Sequence, residues 1–150
     1  PPLQLYFYAL LVPFFGLKFF KLFFIILTIV NFYLLYLVVR KDFSDSTALF
    51  MVIIGIFAPT TLYNASFEYG LTIAMSFFLM GLLAEKRAFW QWLLFIVASM
   101  WRLHMVFLIL GYYIYKLTVK EDEYAHRAFW YMVGLTAINM IIAFTIPNFY

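Results

Sequence analysis

Long apolar runs joined by short polar breaks make up the chain. The first run, residues 3–17, contains Pro13 and Gly16. At about 15 residues it falls short of the roughly 20 that a perpendicular membrane crossing needs, which predicts a short interfacial or re-entrant helix. The second, residues 19–39, is long enough to span. It stops at Arg40, Lys41 and Asp42, an interfacial terminus, and Asp45-Ser46 can cap the helix that follows. The third, residues 47–62, contains Pro59, whose missing N–H and ring end or kink a helix. A polar elbow at residues 64–70 comes next.

The fourth run, residues 71–84, ends at Glu85, Lys86 and Arg87, and it is short unless it borrows Phe67 or Tyr69 from the elbow. The fifth, residues 88–115, has the opposite property. As one helix it would be about 42 Å long against a hydrocarbon core of about 30 Å. It also carries Trp101-Arg102-Leu103-His104 in its middle. Residues 116–127 form the one strongly polar segment, and residues 128–146 a final span before Pro147. There is no internal repeat, low-complexity tract or second domain.

Composition sets the solvent. Of 150 residues, 67% are hydrophobic and 11% charged, against roughly 45–50% and 25% in an ordinary soluble domain. A soluble fold of this size would leave too much apolar surface in water. The expected fold is therefore an all-α integral membrane protein, a single multi-pass bundle over residues 1–150 with roughly five to six membrane helices. The start at Pro1, without an initiating Met, points to a piece of a longer chain. No Cys is present, which excludes disulfides, thiolate metal sites and thiol nucleophiles. The net charge is +3, but the basic residues sit at the ends of apolar runs and form no stripe, so nucleic acid is not an expected partner.

The basic residues serve instead as topology marks. If the first and fifth runs each cross once, Arg40, Lys41, Lys86 and Arg87 oppose Lys18, Lys21, Lys116, Lys120 and Arg127, with no decisive bias. If the first run does not cross and the fifth turns back near Arg102, then Arg40, Lys41, Lys86, Arg87, Lys116, Lys120 and Arg127 share one side. Lys18, Lys21 and Arg102 are left on the other, which is the asymmetry expected between cytoplasmic and non-cytoplasmic faces. This hairpin is the preferred arrangement and a single long tilted helix the alternative. The hairpin's arms are short for a crossing and require tilt, protein surroundings or a locally thinned bilayer.

Few polar residues stand inside the apolar frame. Arg102 is the most informative, because an arginine at bilayer depth costs about 2.5–3.5 kcal/mol even on a lenient scale and usually faces a bundle interior or a cavity. Its fork of donors suits phosphate or carboxylate; the structural alternative is snorkelling, or a pair with Glu68. Glu68 is the one acid of the elbow, able to hold an arginine, act as a base, or favour the positive end of the following helix. His104 lies two residues from Arg102 and shares its face only if the helix breaks there; without Cys or a second His nearby, no metal site is expected. Asn31, in mid-span, is expected to hydrogen-bond across a helix interface. Asn64 begins a formal glycosylation acceptor too close to apolar helices to be used, and is read as structural. Glu85, Lys86, Arg87, Lys116, Lys120, Glu121, Asp122 and Glu123 read as solvated boundary charges, whose basic members can touch anionic headgroups.

The order of these marks resembles the GT-C family of integral membrane glycosyltransferases, which use polyprenyl- or dolichyl-phosphate sugars. The resemblance rests on Pro1-Pro2-Leu3-Gln4-Leu5-Tyr6, the span with Asn31 before Arg40-Lys41, Ala58-Pro59 with Phe67-Glu68-Tyr69-Gly70, Arg102 with Trp101 and His104, and Pro147. Asn31 and Glu68 stand where the family more often has an acid and a glutamine. The resemblance implies sugar transfer from a lipid-phosphate donor on the non-cytoplasmic face, with Glu68, Arg102 and His104 lining the donor or acceptor cavity and a catalytic acid upstream of Pro1. A divalent metal ion is the one cofactor it allows, and its partners would be membrane lipids and a polyprenyl-phosphate-linked sugar. The rival readings are a non-catalytic subunit packed against other membrane subunits and a component of a lipid or small-solute transporter.

Overall fold

The structure, a computed structural model, describes residues 2–57, 69–102 and 105–119 and, beyond them, 126, 128–130, 132–134, 137 and 141. The described elements are all helical: α1 (Pro2–Val39), α2 (Asp45–Phe57), α3 (Tyr69–Leu83), α4 (Ala88–Trp101) and α5 (Met105–Val119). Pro59 and most of the elbow, with Asn64 and Glu68, lie outside the described residues, as do His104, Lys120 and Arg127.

α1 is two arms, because Gly16 interrupts it at φ 72°, ψ 161°. That backbone conformation is essentially open only to glycine. The chain turns back there, so that Tyr8 sets its ring edge against Phe20 at 5.3 Å and Phe24 at 6.5 Å. The short helix expected from the first run is thus an arm folded onto the start of the second. The second arm, Lys18–Val39, has 22 residues and is the one described helix long and apolar enough to cross a membrane. At 1.5 Å per residue it is about 33 Å long. Nothing lies within 4 Å of where a Cβ on Gly16 would stand, so only backbone strain opposes a side chain there. Gly16→Ala is expected to cost the folded-back arm about 1–3 kcal/mol. A bifunctional thiol reagent should join a Tyr8→Cys/Phe24→Cys pair efficiently in the parent chain and weakly beside Gly16→Ala; equal yields would refute the turn.

α2 begins one residue earlier than the cap the sequence suggests. Ser44, and not Asp45, lends its Oγ to the Thr47 N–H at 3.4 Å. Asp45 is occupied by Arg40, whose Nε lies 2.6 Å from its carboxylate, and accepts from the Tyr36 hydroxyl at 3.4 Å. α2 packs on α1, burying Ala48 and Val52. Its other side, like that of the long arm of α1, carries exposed large apolar side chains, among them Ile29, Phe50, Ile54 and Phe57.

The remaining helices stack on the long arm. α3 runs parallel to it, since Asn31 meets Thr72 while Lys41, further along, meets Leu82. α4 returns antiparallel to α3, with Gln91 bonded to Gly81 and Phe95 stacked on Phe78. Arg102 then breaks the long fifth run: its backbone is extended at φ −147°, ψ 113°, its N–H donates to the Ala98 carbonyl at 3.1 Å, and its own carbonyl accepts from Met105 at 2.9 Å. α5 comes back beside α4, placing Tyr113 edge-on to Phe95. A core of Phe24, Ala74, Phe95, Ala98, Ile109 and Tyr113 joins α1, α3, α4 and α5, and Met132 adds to it.

Candidate functional site

The chain reversals sort the charges. The end of the long arm, the α3–α4 turn and the last turn of α5 come together, which gathers Arg40, Lys41, Glu85, Lys86, Arg87 and Lys116. Arg102, which closes α4, lies at the other end of α3 and α4, about level with Asn31 in the middle of the long arm, and Lys18 and Lys21 open that arm further along. The chain reversal expected at Arg102 is present, and it sets Arg40, Lys41, Lys86, Arg87 and Lys116 at one end of the helices; Lys120 and Arg127, expected with them, lie outside the described residues. Of the residues proposed to contact substrate, Arg102 alone is described; it is half-buried at the helix break.

Asn31 is held between α1 and α3. Its amide Nδ2 donates to the Thr72 carbonyl at 2.8 Å and its Oδ1 accepts from the Ser76 hydroxyl at 2.6 Å. Ser76 also bonds the Thr72 carbonyl at 3.0 Å. Inside a bundle with few polar groups, such bonds fix how two helices register.

The most developed polar cluster lies at the opposite, basic end and corrects one expectation. Lys116 and Glu85 read from the sequence as solvated boundary charges, yet Lys116 is buried and its ammonium pairs directly with Glu85. Lys41 approaches the same carboxylate at 3.8 Å and donates to the Leu82 carbonyl at 2.7 Å. Lys116 also stands over the Tyr112 ring, 5.7 Å from its centre. Gln91, buried, donates through Nε2 to the Tyr112 hydroxyl at 3.1 Å and to the Gly81 carbonyl at 3.2 Å. These contacts tie α1, α3, α4 and α5 together at one end. Nothing in the sequence singles out Tyr112, whereas Gln91 is marked as the lone amide inside the fifth apolar run.

Beside this cluster opens a hollow of about 810 Å³, lined by Lys41, Met80, Leu83, Ala84, Glu85, Lys86, Arg87, Trp90 and Leu94. Its rim is cationic and its wall apolar. The one carboxylate in the lining is already engaged by Lys116 and Lys41. Lys86 and Arg87 make no ion pair among the described residues. Charge and shape suit an anion with an apolar body. Among the described residues, no group of three His, Asp or Glu side chains gathers that could hold a metal ion.

No family model matches the chain, and no curated protein or solved structure matches it either.

Proposed function

We propose that this chain is a multi-pass membrane bundle, formed by the long arm of α1 with α3, α4 and α5, and that it is the membrane core of a glycosyltransferase acting on a polyprenyl-phosphate-linked sugar. The end bearing Arg40, Lys41, Lys86, Arg87 and Lys116 faces the cytoplasm, following the bias of basic residues to that side. Arg102 faces the other side and contacts the donor phosphate. The observation that carries this reading is the helix break at Arg102, at the end of the bundle away from those cations.

The chemistry follows from the guanidinium. It stays charged, presents a planar fork of donors, and can neutralise a phosphate as it leaves the sugar. An extended backbone at Arg102 frees the side chain from the regular helix direction, as broken helices do where membrane proteins build sites. α3, α4 and α5 have 15, 14 and 15 residues, about 21–23 Å of helix, so the bilayer around them is thinned or the helices are enclosed by further protein. A divalent ion, where one takes part, would share the phosphate charge with Arg102.

The test is Arg102→Ala in the reconstituted protein. Membrane insertion should be unchanged, while donor binding and sugar transfer fall about tenfold to a hundredfold, the worth of a hydrogen bond to a charged group. Arg102→Lys should recover part of the loss. Undiminished transfer in Arg102→Ala would remove the assignment.

A further inference from the structure

The cationic hollow at the other end of the bundle plays no part in phosphate-sugar chemistry at Arg102, and its composition is specific. We infer that it is a binding site for an anionic glycerophospholipid of the cytoplasmic leaflet, the headgroup phosphate held by Lys86, Arg87 and Lys41 and an acyl chain lying on Leu83, Leu94 and Trp90. The inference rests on the membrane reading above, which sets this end at the headgroup level.

Three features of the hollow support that occupant. The first is charge: Glu85, the acid that would repel a phosphate, is neutralised from the inside by Lys116, which leaves the outward lysines and arginine with a positive surplus. The second is access. Lys86, Arg87 and Trp90 are exposed, whereas Lys116 is buried, so the buried lysine balances the acid and the exposed cations meet the ligand. The third is the amphipathic lining. A soluble anion would need only the rim, but here the cations continue into an apolar wall that includes Trp90, a residue type that settles where headgroups meet acyl chains. Basic residues at a membrane surface attract anionic lipid, and a hollow of about 810 Å³ gives that attraction a fixed place.

The experiment uses the protein reconstituted in phosphatidylcholine vesicles carrying a minor fraction of phosphatidylglycerol, with bromine on the acyl chains of one lipid or the other. Trp90 emission is isolated by difference against Trp90→Phe. Brominated phosphatidylglycerol should quench Trp90 as though enriched about fivefold over its bulk fraction, the effect of one basic residue at a membrane surface. A Lys86→Gln/Arg87→Gln variant should lose the enrichment, and Lys18→Gln/Lys21→Gln, with the same change in charge at the opposite end, should keep it. Soluble glycerol phosphate should not compete.

Equal quenching by both lipids, loss of enrichment in both double variants, or competition by glycerol phosphate would each overturn the lipid site while leaving the membrane reading intact. Failure of the chain to enter vesicles at all would overturn the membrane reading and the site with it.

Discussion

Replacing Gly81 by alanine is expected to destabilise the bundle by about 1–3 kcal/mol, and replacement by valine by more. A Cβ at Gly81 would stand 2.5 Å and 2.6 Å from ring carbons of Phe95, well inside contact distance. Phe95 has nowhere to go. It is fully buried, stacked on Phe78 at 5.6 Å, and edged by Tyr112 at 5.7 Å and Tyr113 at 5.8 Å. The added methyl must therefore push α3 from α4, and that movement also pulls the Gly81 carbonyl from Gln91, which bonds it at 3.2 Å. In the membrane setting proposed above, such close approach would matter more, because lipid provides no hydrophobic drive to hold helices together. Thermal denaturation in detergent measures the loss. A second-site change of Phe95→Leu should return part of it, and a Gly81→Ala protein as stable as its parent would mean that the helices do not meet as described.

The second large effect is electrostatic. Lys116→Met should cost about 2–3 kcal/mol, and the double change Lys116→Met/Glu85→Gln distinctly less. Removing one partner of a buried pair leaves the other charge without compensation, typically a loss of about 3–5 kcal/mol, whereas replacing both removes the problem. The lower figure applies here because the Glu85 side chain retains 28% exposure and Lys41 stands 3.8 Å away. Detergent denaturation of the single and double variants gives the comparison; a double variant no better than Lys116→Met would show that the pair does not bind α5 to the α3–α4 turn.

These two features differ in how far the amino-acid sequence reveals them. The length of the long arm, the uninterrupted apolar character of residues 19–39 and the basic stop after it are local properties, and the helix Lys18–Val39 follows from them. The turn at Arg102 is legible from arithmetic: the fifth run is too long for one crossing, and charge counting favours folding it there. Gly16 announces its turn because it stands with Pro13 in a short run. Gly81 announces nothing. It is a glycine in an apolar helix like Gly55 or Gly111, and only the arrival of Phe95 from the next helix makes it indispensable.

The same limit explains the misread charges. Glu85 and Lys116 each stand at the end of an apolar run, where a solvated charge is the ordinary outcome, and the helix directions bring them together across 31 positions. Asn31 is different, since an amide in mid-span must find a polar partner, although which one, Thr72 with Ser76, depends on the register of α1 against α3. Of the proposed substrate contacts, the position of Arg102 at a helix break was readable from its cost inside an apolar run. Glu68 and His104 remain proposals carried by the elbow and by the break, outside the described residues.

The central claim is that the basic end and Arg102 lie on opposite sides of a membrane. Because the chain has no Cys of its own, single introduced cysteines report without background. Asp42→Cys and Lys86→Cys should react with a membrane-impermeant maleimide from the cytoplasmic side, and Lys18→Cys and Arg102→Cys from the opposite side. Labelling of Lys86→Cys and Arg102→Cys from the same side would contradict the account.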